Sequence, residues 1–450
     1  MKRKRVLVIG GGVSGLAAAV FLEAGGADVV VLEAGGEAGG HVRSESIDGR
    51  ILDQAANGWL DNEPAMGRLL ALLGDRLTVV PASGAYDTRW ICADGALHPV
   101  PLSPPAMLKS RLLSLGQKLR LLGDLFVGRS VDPDESLGSF VRRRLGPAAV
   151  DRLVGPMVAG IFAADPDSLS LRAAFPRMAE LEAEHRSLFL AMARLRKGGA
   201  PAGRLQTTQA GAGGLTTAMI EQLGSRVTCL TPSVSLSTDG VTWQVETPRG
   251  ALQADAVVLA APGPVQARLL EDLDPAGALA QASIPYAPAA VVVMALPRAA
   301  FPREPRGFGV LMARGEAERL GVAGVLGTVF SHDVFPHQAR PDELLLRTIV
   351  GGAIAPDAAR LPDDALLTRV TAGLGQMFGP MGAQPHLTRI YRYAAAIPQY
   401  TVGHLDRVAA VSRVSERYKG IFFAGNHLRG VGVKDCVRQG EEAARAVLAG

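Results

Sequence analysis

Cysteine is scarce in this chain of 450 residues. Cys92, Cys229 and Cys436 are an odd, scattered set with no C-x-x-C pair. That disfavours a disulfide framework or a zinc site and suits a reducing cytosol. Long hydrophobic runs are also missing. No stretch reaches the roughly 18 apolar residues that a spanning helix needs. The longest candidate, IPYAPAAVVVMALP, is interrupted by three prolines and reads as a strand between turns. A dominant charge sign is missing too. The net charge is +4 and spread along the chain, which leaves no case for nucleic acid. No internal repeat is visible, so a solenoid is not expected. No catalytic triad, carboxylate dyad or metal cluster stands out. What is plentiful is apolar surface. The hydrophobic fraction is 48% and the mean hydropathy is positive; with no run long enough to span, the chain should not cross a membrane but can touch one. Its length predicts two or three packed units.

The chain opens MKRKRVLVIGGGVSGLAAAVFLEAGGADVVVLEAGG. A basic start followed by an apolar stretch fits an export signal, but export does not explain the glycine spacing. Gly10, Gly12 and Gly15 stand in G-x-G-x-x-G register after a strand-like RVLVI and before a helical run from Ser14 to Ala24. A second strand-like segment, ADVVVLEA, carries Glu33 at its end. That is the expected place for a carboxylate that grips an adenosine ribose. The N–H groups of the helix start suit a pyrophosphate. The context predicts dinucleotide binding.

Farther along, residues 85–100 read as a hairpin turning at Asp94-Gly95. From Leu102 to about Lys197 the pattern becomes helical. The leucine-rich segment from Leu108 to Arg129, with Lys109, Arg111, Lys118 and Arg120, reads equally as a packed helix with a solvated face and as a peripheral membrane contact. Strands return as a meander with turns at Asp239-Gly240 and Arg249-Gly250. The last segment, GIFFAGNHLRGVGVKDCVRQG, is again strand, glycine loop and helix. A chain that begins and ends in βα units of this type predicts one cofactor domain assembled from separate pieces.

Several stretches carry a resemblance over nearly the whole length: GIFAADPDSLSLRAAFP, EHRSL, PRGFGVL, IPQYTVGHLDR and GNHLRGVGVKDCVRQG. In their order and spacing the chain resembles the FAD-dependent, oxygen-dependent protoporphyrinogen oxidases of haem synthesis, in their bacterial, myxobacterial-type form. These enzymes lie within the monoamine oxidase and phytoene desaturase superfamily. The resemblance implies a mixed α/β fold: a Rossmann-like FAD domain in discontinuous segments, a mixed-sheet substrate domain and a helical, membrane-associating insertion. The expected division is FAD-binding 1–84, substrate 85–101, helical insertion 102–203, FAD-binding 204–265, substrate 266–398 and FAD-binding 399–450. A cytoplasmic protein, peripheral at the inner face of the cell membrane, is implied, and a homodimer is left open.

The resemblance implies non-covalent FAD. Gly10, Gly11, Gly12, Val13, Ser14 and Gly15 would hold its pyrophosphate, and Glu33 and Ala34 would meet the adenosine ribose. Gly40 and His41 match the family's second glycine pair and its successor, with Gly39 the first of that pair. Ala55, Asn57 and Gly58 would pass near the flavin, and Val234 would offer backbone groups to the adenine. Gly425, Asn426, Val431, Gly432 and Val433 would meet the ribityl chain and the pyrimidine edge. The implied reaction removes six electrons from protoporphyrinogen IX, with hydride passing from a bridging methylene to flavin N5 and dioxygen reoxidising the flavin to give hydrogen peroxide. Arg89 matches an arginine that binds a substrate propionate. Guanidinium and carboxylate are both planar and pair through two bonds. Phe308 and Leu311 match apolar residues that sandwich a pyrrole, though plain core packing explains them as well. Gly160 matches a glycine facing pyrrole N–H groups, Asn57 a polar position beside the reacting centre, and Ile349 a residue lining the flavin face. His185 and Arg186 are family-like but have no assigned chemistry.

Two departures stand out. Glu37 occupies the place, two residues before the second glycine pair, where many relatives carry a phosphate-facing arginine. Asn426 replaces an aspartate. Glu37 predicts weaker phosphate neutralisation unless Arg43 or another cation substitutes. Coproporphyrinogen III, with extra propionates, is the neighbouring substrate; the single arginine that can be placed favours protoporphyrinogen. An amine or carotenoid oxidase, and a porphyrin carrier that has lost flavin, are the other readings.

Overall fold

The computed structural model describes residues 3–185, 187 and 203–450. Two large sheets organise the chain. The first is parallel, in the order Val227–Thr228, Asp28–Leu32, Arg5–Ile9, Ala256–Leu259 and Ile421–Phe423. Its three inner strands are short Val/Leu/Ile runs buried on both faces, as a covered parallel sheet requires. Val6 and Val8 point into one core with the helices Val13–Ala24, Gly213–Leu223 and Val433–Ala449. Leu7 and Ile9 point the other way, against Leu236, Trp243 and Val245. Those three residues come from an antiparallel meander, Ser235–Thr238, Trp243–Thr247 and Gly250–Ala254. One sheet thus draws strands from the start, middle and end of the sequence.

The second sheet has seven strands, in the order Leu387–Pro398, Tyr286–Pro297, Glu343–Gly351, Val325–Phe330, Gly309–Met312, Arg89–Ala93 and Ala96–Pro99. The proline-interrupted apolar run is its long second strand, paired on both sides. Period-2 alternation sends Val292, Met294, Leu344 and Leu346 to one face, under the helix Asp363–Phe378. Val291, Val293 and Leu345 go to the other face, against Leu52 of the hairpin Ser44–Ile47/Arg50–Asp53. The expected hairpin at 85–100 forms across Asp94-Gly95.

Residues 104–184 form a helical unit around Phe140, Val150, Val158 and Phe162. The single helix expected from Leu108 to Arg129 is corrected. Helix Pro104–Lys109 stops at Ser110, and Leu115–Leu122 restarts with Ser114 and Gln117 in a capping box. A short 3₁₀ turn, Gly123–Phe126, follows. Serine at both breaks offers its hydroxyl to backbone N–H groups. Arg144 ties this turn to the unit's last helix, pairing with Asp124 at 2.6 Å and Glu182 at 2.8 Å. Helix Pro176–Glu184 ends at His185; Arg186 lies outside the described residues. Among the described residues no helix is long and apolar enough to cross a membrane.

Candidate active site

The glycine turn after Arg5–Ile9 is closed as its spacing predicts. A Cβ on Gly15 would sit 1.9 Å from the Gly10 carbonyl oxygen, so only glycine lets strand and helix approach this closely. Gly12 caps the helix without a side-chain hydrogen bond and faces open space. The leading N–H groups are left for a ligand. Val13 and Ser14, the next two residues, are buried. Glu33 is held on both oxygens by backbone: Gly11 N–H donates at 2.8 Å and Gly35 N–H at 2.7 Å. Ala34 beside it is exposed. Gly39 N–H donates to Gly11 O at 2.7 Å, which draws Gly39, Gly40 and His41 alongside the first turn. The Val234 N–H donates to Glu246 O at 2.8 Å. One expectation needs correction here. Arg43 does not simply replace the missing phosphate-facing cation. It pairs with Glu37 itself, at 3.4 Å across an exposed surface.

At the other end of the sheet, Gly425 and Asn426 follow strand Ile421–Phe423. Gly432 caps the helix Val433–Ala449, again with no side-chain bond. Val13 and Val433, the first residues of the two glycine-capped helices, share one core cluster. The intervening loop is braced from below. Tyr400 Oη donates to Asn426 O. His404 stacks on Tyr400 with ring centroids 4.1 Å apart and bonds Leu428 O at 3.0 Å. His427 is fully buried with neither ring nitrogen partnered. Burial pushes the His404 imidazole down to about 4 and that of His427 to about 3.

Between these ends lies a third group. Ala55, Asn57 and Gly58 form a half-buried loop after strand Arg50–Asp53. Its root is fixed by Asp53, which accepts from Ser44 Oγ at 2.6 Å, Ala212 N–H at 2.8 Å and Gln338 Nε2 at 2.9 Å. On the seven-stranded sheet, ladder register puts Ile91, Leu311, Gly327, Ile349 and Val291 in one transverse row. The next row, on the same face, is Arg89, Gly309, Val329, Arg347 and Val293. Leu311 lies over Gly160: a Cβ there would meet Leu311 Cδ2 at 3.0 Å. Arg89, Leu311 and Ile349 therefore share one surface, and Gly160 closes on it from the helical unit. The Arg89 guanidinium sits 4.5 Å from the Tyr86 ring centroid and 5.3 Å from that of Phe308. Its Nε is buried without a partner. Phe308 thus braces the arginine, which core packing alone did not anticipate.

Two glycine-capped helix starts, a carboxylate oriented by backbone at a strand end and an open face at Gly12 fit a flavin dinucleotide. Among the described residues there is no metal-binding cluster. This is the fold of an FAD-dependent oxidoreductase. The family pattern for flavin containing amine oxidoreductases matches residues 13–448, and the chain belongs to that family. It is 33% identical, over 98% of its own length and 90% of the relative, to coproporphyrinogen III oxidase of Propionibacterium freudenreichii subsp. freudenreichii. It is 32% identical to the mitochondrial protoporphyrinogen oxidase of Nicotiana tabacum, over 99% and 95% of the two chains. A solved structure titled "Putative protoporphyrinogen oxidase", from Exiguobacterium sp. 255-15, superposes with a TM-score of 0.84 at 26% identity, covering 100% of this chain and 99% of that one.

Sequence reading missed Tyr86 and Arg347. Tyr86 had no signal, because its value lies in a ring contact with Arg89. Arg347 had one: a lone charge in the apolar run LLLRTIVGG.

Proposed function

We propose that this protein is an oxygen-dependent porphyrinogen oxidase, converting a methylene-bridged tetrapyrrole to the conjugated porphyrin by removing six electrons and six hydrogens. Bound FAD supplies the two-electron acceptor and hands electrons to dioxygen, giving one hydrogen peroxide per cycle over three cycles. The observation that carries the reading is Arg89, an arginine with no ion pair among the described residues, resting against the edge-to-face pair of Tyr86 and Phe308 beside an apolar sheet face. Such an arginine is pre-set for a carboxylate. The apolar row of Leu311 and Ile349, with Gly160, would seat the ring, and Asn57 would flank the bridge being oxidised. No strong base is needed, since pyrrole nitrogens lose protons once the bridge hydrogen has left. Gly10 to Gly15, Glu33, Gly40, His41 and the 425–433 loop would hold the cofactor. Protoporphyrinogen IX is the substrate expected from Arg89 alone. Coproporphyrinogen III becomes the substrate if a second cation serves the same face. The test is anaerobic mixing of the yellow holoprotein with each porphyrinogen. Bleaching of the flavin by at least one supports the reading; no bleaching by either overturns it.

The helical unit is proposed to rest on an anionic lipid surface. Leu108, Leu115, Leu119 and Phe126 are all exposed, with Lys109 and Arg111 beside them. Arg120 is not part of this charge. Its guanidinium donates to Arg143 O at 2.7 Å and Arg144 O at 2.9 Å, capping a helix end.

A further inference from the structure

Of the three buried arginines among the described residues, two are paired with acids. Arg50 is bound through two bonds by Glu343, at 2.7 and 2.5 Å. Arg144 has Asp124 and Glu182. Arg347 is 4% exposed and has no ion pair among the described residues. Its Nη2 donates to Ala55 O, and its Nε is buried with no partner. Asp53 pulls on it from a distance, but that carboxylate already accepts three hydrogen bonds. Burial drives the guanidinium below its ordinary range. A buried cation left in this state is costly unless an anion arrives.

The diphosphate of a dinucleotide is not that anion, because the glycine turns that suit it belong to the parallel sheet. What shares a surface with Arg347 is the substrate row. Arg347 and Arg89 stand in the same transverse row and on the same face, three strands apart. At ordinary strand spacing that is about 14 Å between their backbones. The neighbouring row offers Leu311, Gly327 and Ile349 as an apolar floor. A flat ligand laid along Leu311 and Ile349 would have Arg89 toward one end and Arg347, beneath the Ala55 loop, toward the other. Protoporphyrinogen IX carries both propionates on adjacent pyrroles, so it presents carboxylates to one end only. Coproporphyrinogen III carries a propionate on every pyrrole and reaches both.

We infer that Arg347 is a second carboxylate anchor and makes this enzyme select a tetrapyrrole with propionates at opposite edges, coproporphyrinogen III, over protoporphyrinogen IX. The inference rests on the porphyrinogen reading above.

The test compares the two porphyrinogens on the FAD-loaded protein, wild type against Arg347→Gln and Arg347→Lys. Initial rates are read by porphyrin fluorescence and flavin content by absorbance. The wild type should favour coproporphyrinogen in kcat/KM. Arg347→Gln should lower the coproporphyrinogen-to-protoporphyrinogen ratio at least about tenfold, the loss of one charged hydrogen-bond pair. Arg347→Lys should restore part of it. A ratio unchanged by Arg347→Gln overturns the inference. So does a change confined to the flavin spectrum or reduction potential, which would assign the charge to the cofactor. If Arg347→Gln does not fold, equilibrium binding of coproporphyrin and protoporphyrin to the wild type decides, by quenching of porphyrin fluorescence. Equal affinities sink the proposal. Failure of both porphyrinogens to bleach the wild-type flavin sinks the underlying reading instead, so the two failures are distinct.

Discussion

Arg89 is the residue on which the proposed substrate site turns, and its surroundings make a sharp expectation. Tyr86 and Phe308 hold the guanidinium by ring contacts that remain whether or not a carboxylate is bound. Arg89→Ala removes charge-assisted bonds that form only with substrate, so KM for porphyrinogen should rise about tenfold to a hundredfold. Flavin content, read by absorbance, should not change. Loss of flavin would put the residue in the cofactor site. Arg89→Lys should recover little, because an ammonium neither stacks as a plane nor pairs through a fork. Arg89 was legible only through a resemblance, since a hairpin arginine has no local signature. Gly15 was legible from spacing, because its constraint is local: the close strand–helix contact needs a missing Cβ. Gly15→Ala should abolish FAD binding, measured by fluorescence titration. Arg347 escaped because its meaning depends on ladder register across four strands, which no short window of sequence contains.

At the scale of elements, the loop 425–433 joins strand to helix as its sequence pattern predicts, and the helices around Ser110 do not follow theirs. Two buried imidazoles support the loop, His404 and His427, with pKa values pushed to about 4 and about 3. Both residues take up protons more readily in the unfolded chain, near pH 6.5. Between there and pH 4 the unfolded state therefore holds more protons, and stability falls as acid is added. The loss should be a few kcal/mol between pH 7 and 4. Release of fluorescent free FAD should accompany it, because the loop is proposed to hold the cofactor. His427→Gln should flatten this pH slope in urea titrations; an unchanged slope would place the acid sensitivity elsewhere. The helices 104–122 were legible in composition but not in length. Leucine spacing continued through residues 108–129, while the serine caps that divide it lie inside the same stretch. The division turns exposed leucines and a phenylalanine outward on a short, kinked surface. Replacing Leu115, Leu119 and Phe126 with Ser, and Lys109 and Arg111 with Glu, should abolish co-sedimentation with anionic vesicles. Turnover of dispersed substrate should persist. Arg120→Glu is the useful contrast, since it should cost stability through the helix end that Arg120 caps.

The whole molecule is tied by its termini. The parallel sheet was legible as two βα units at opposite ends of the chain, because each carries its own glycine turn and strand pattern. Their pairing order was not, since strand Ala256–Leu259 looks like one more strand of the meander before it yet lies between Arg5–Ile9 and Ile421–Phe423. What joins the ends is a helix crossing that spacing alone does not announce. A Cβ on Gly440 would meet Ser14 O at 2.6 Å and Ala18 N at 2.8 Å, so the last helix lies directly on the first. That contact lays the first turn of the first helix on the middle of the last one, with Val13 and Val433 in one core cluster. Gly440→Val should force the helices apart and separate the two halves of the cofactor site at once. FAD affinity should drop by more than tenfold, and the unfolding midpoint should fall with the change of an overpacked core, about 1–3 kcal/mol. The informative measurement is the apo form beside the holo form. If the termini cooperate around one cofactor, excess FAD should stabilise the wild type by mass action and stabilise Gly440→Val far less. Equal stabilisation of both would mean that the ends pack together for reasons unrelated to the cofactor.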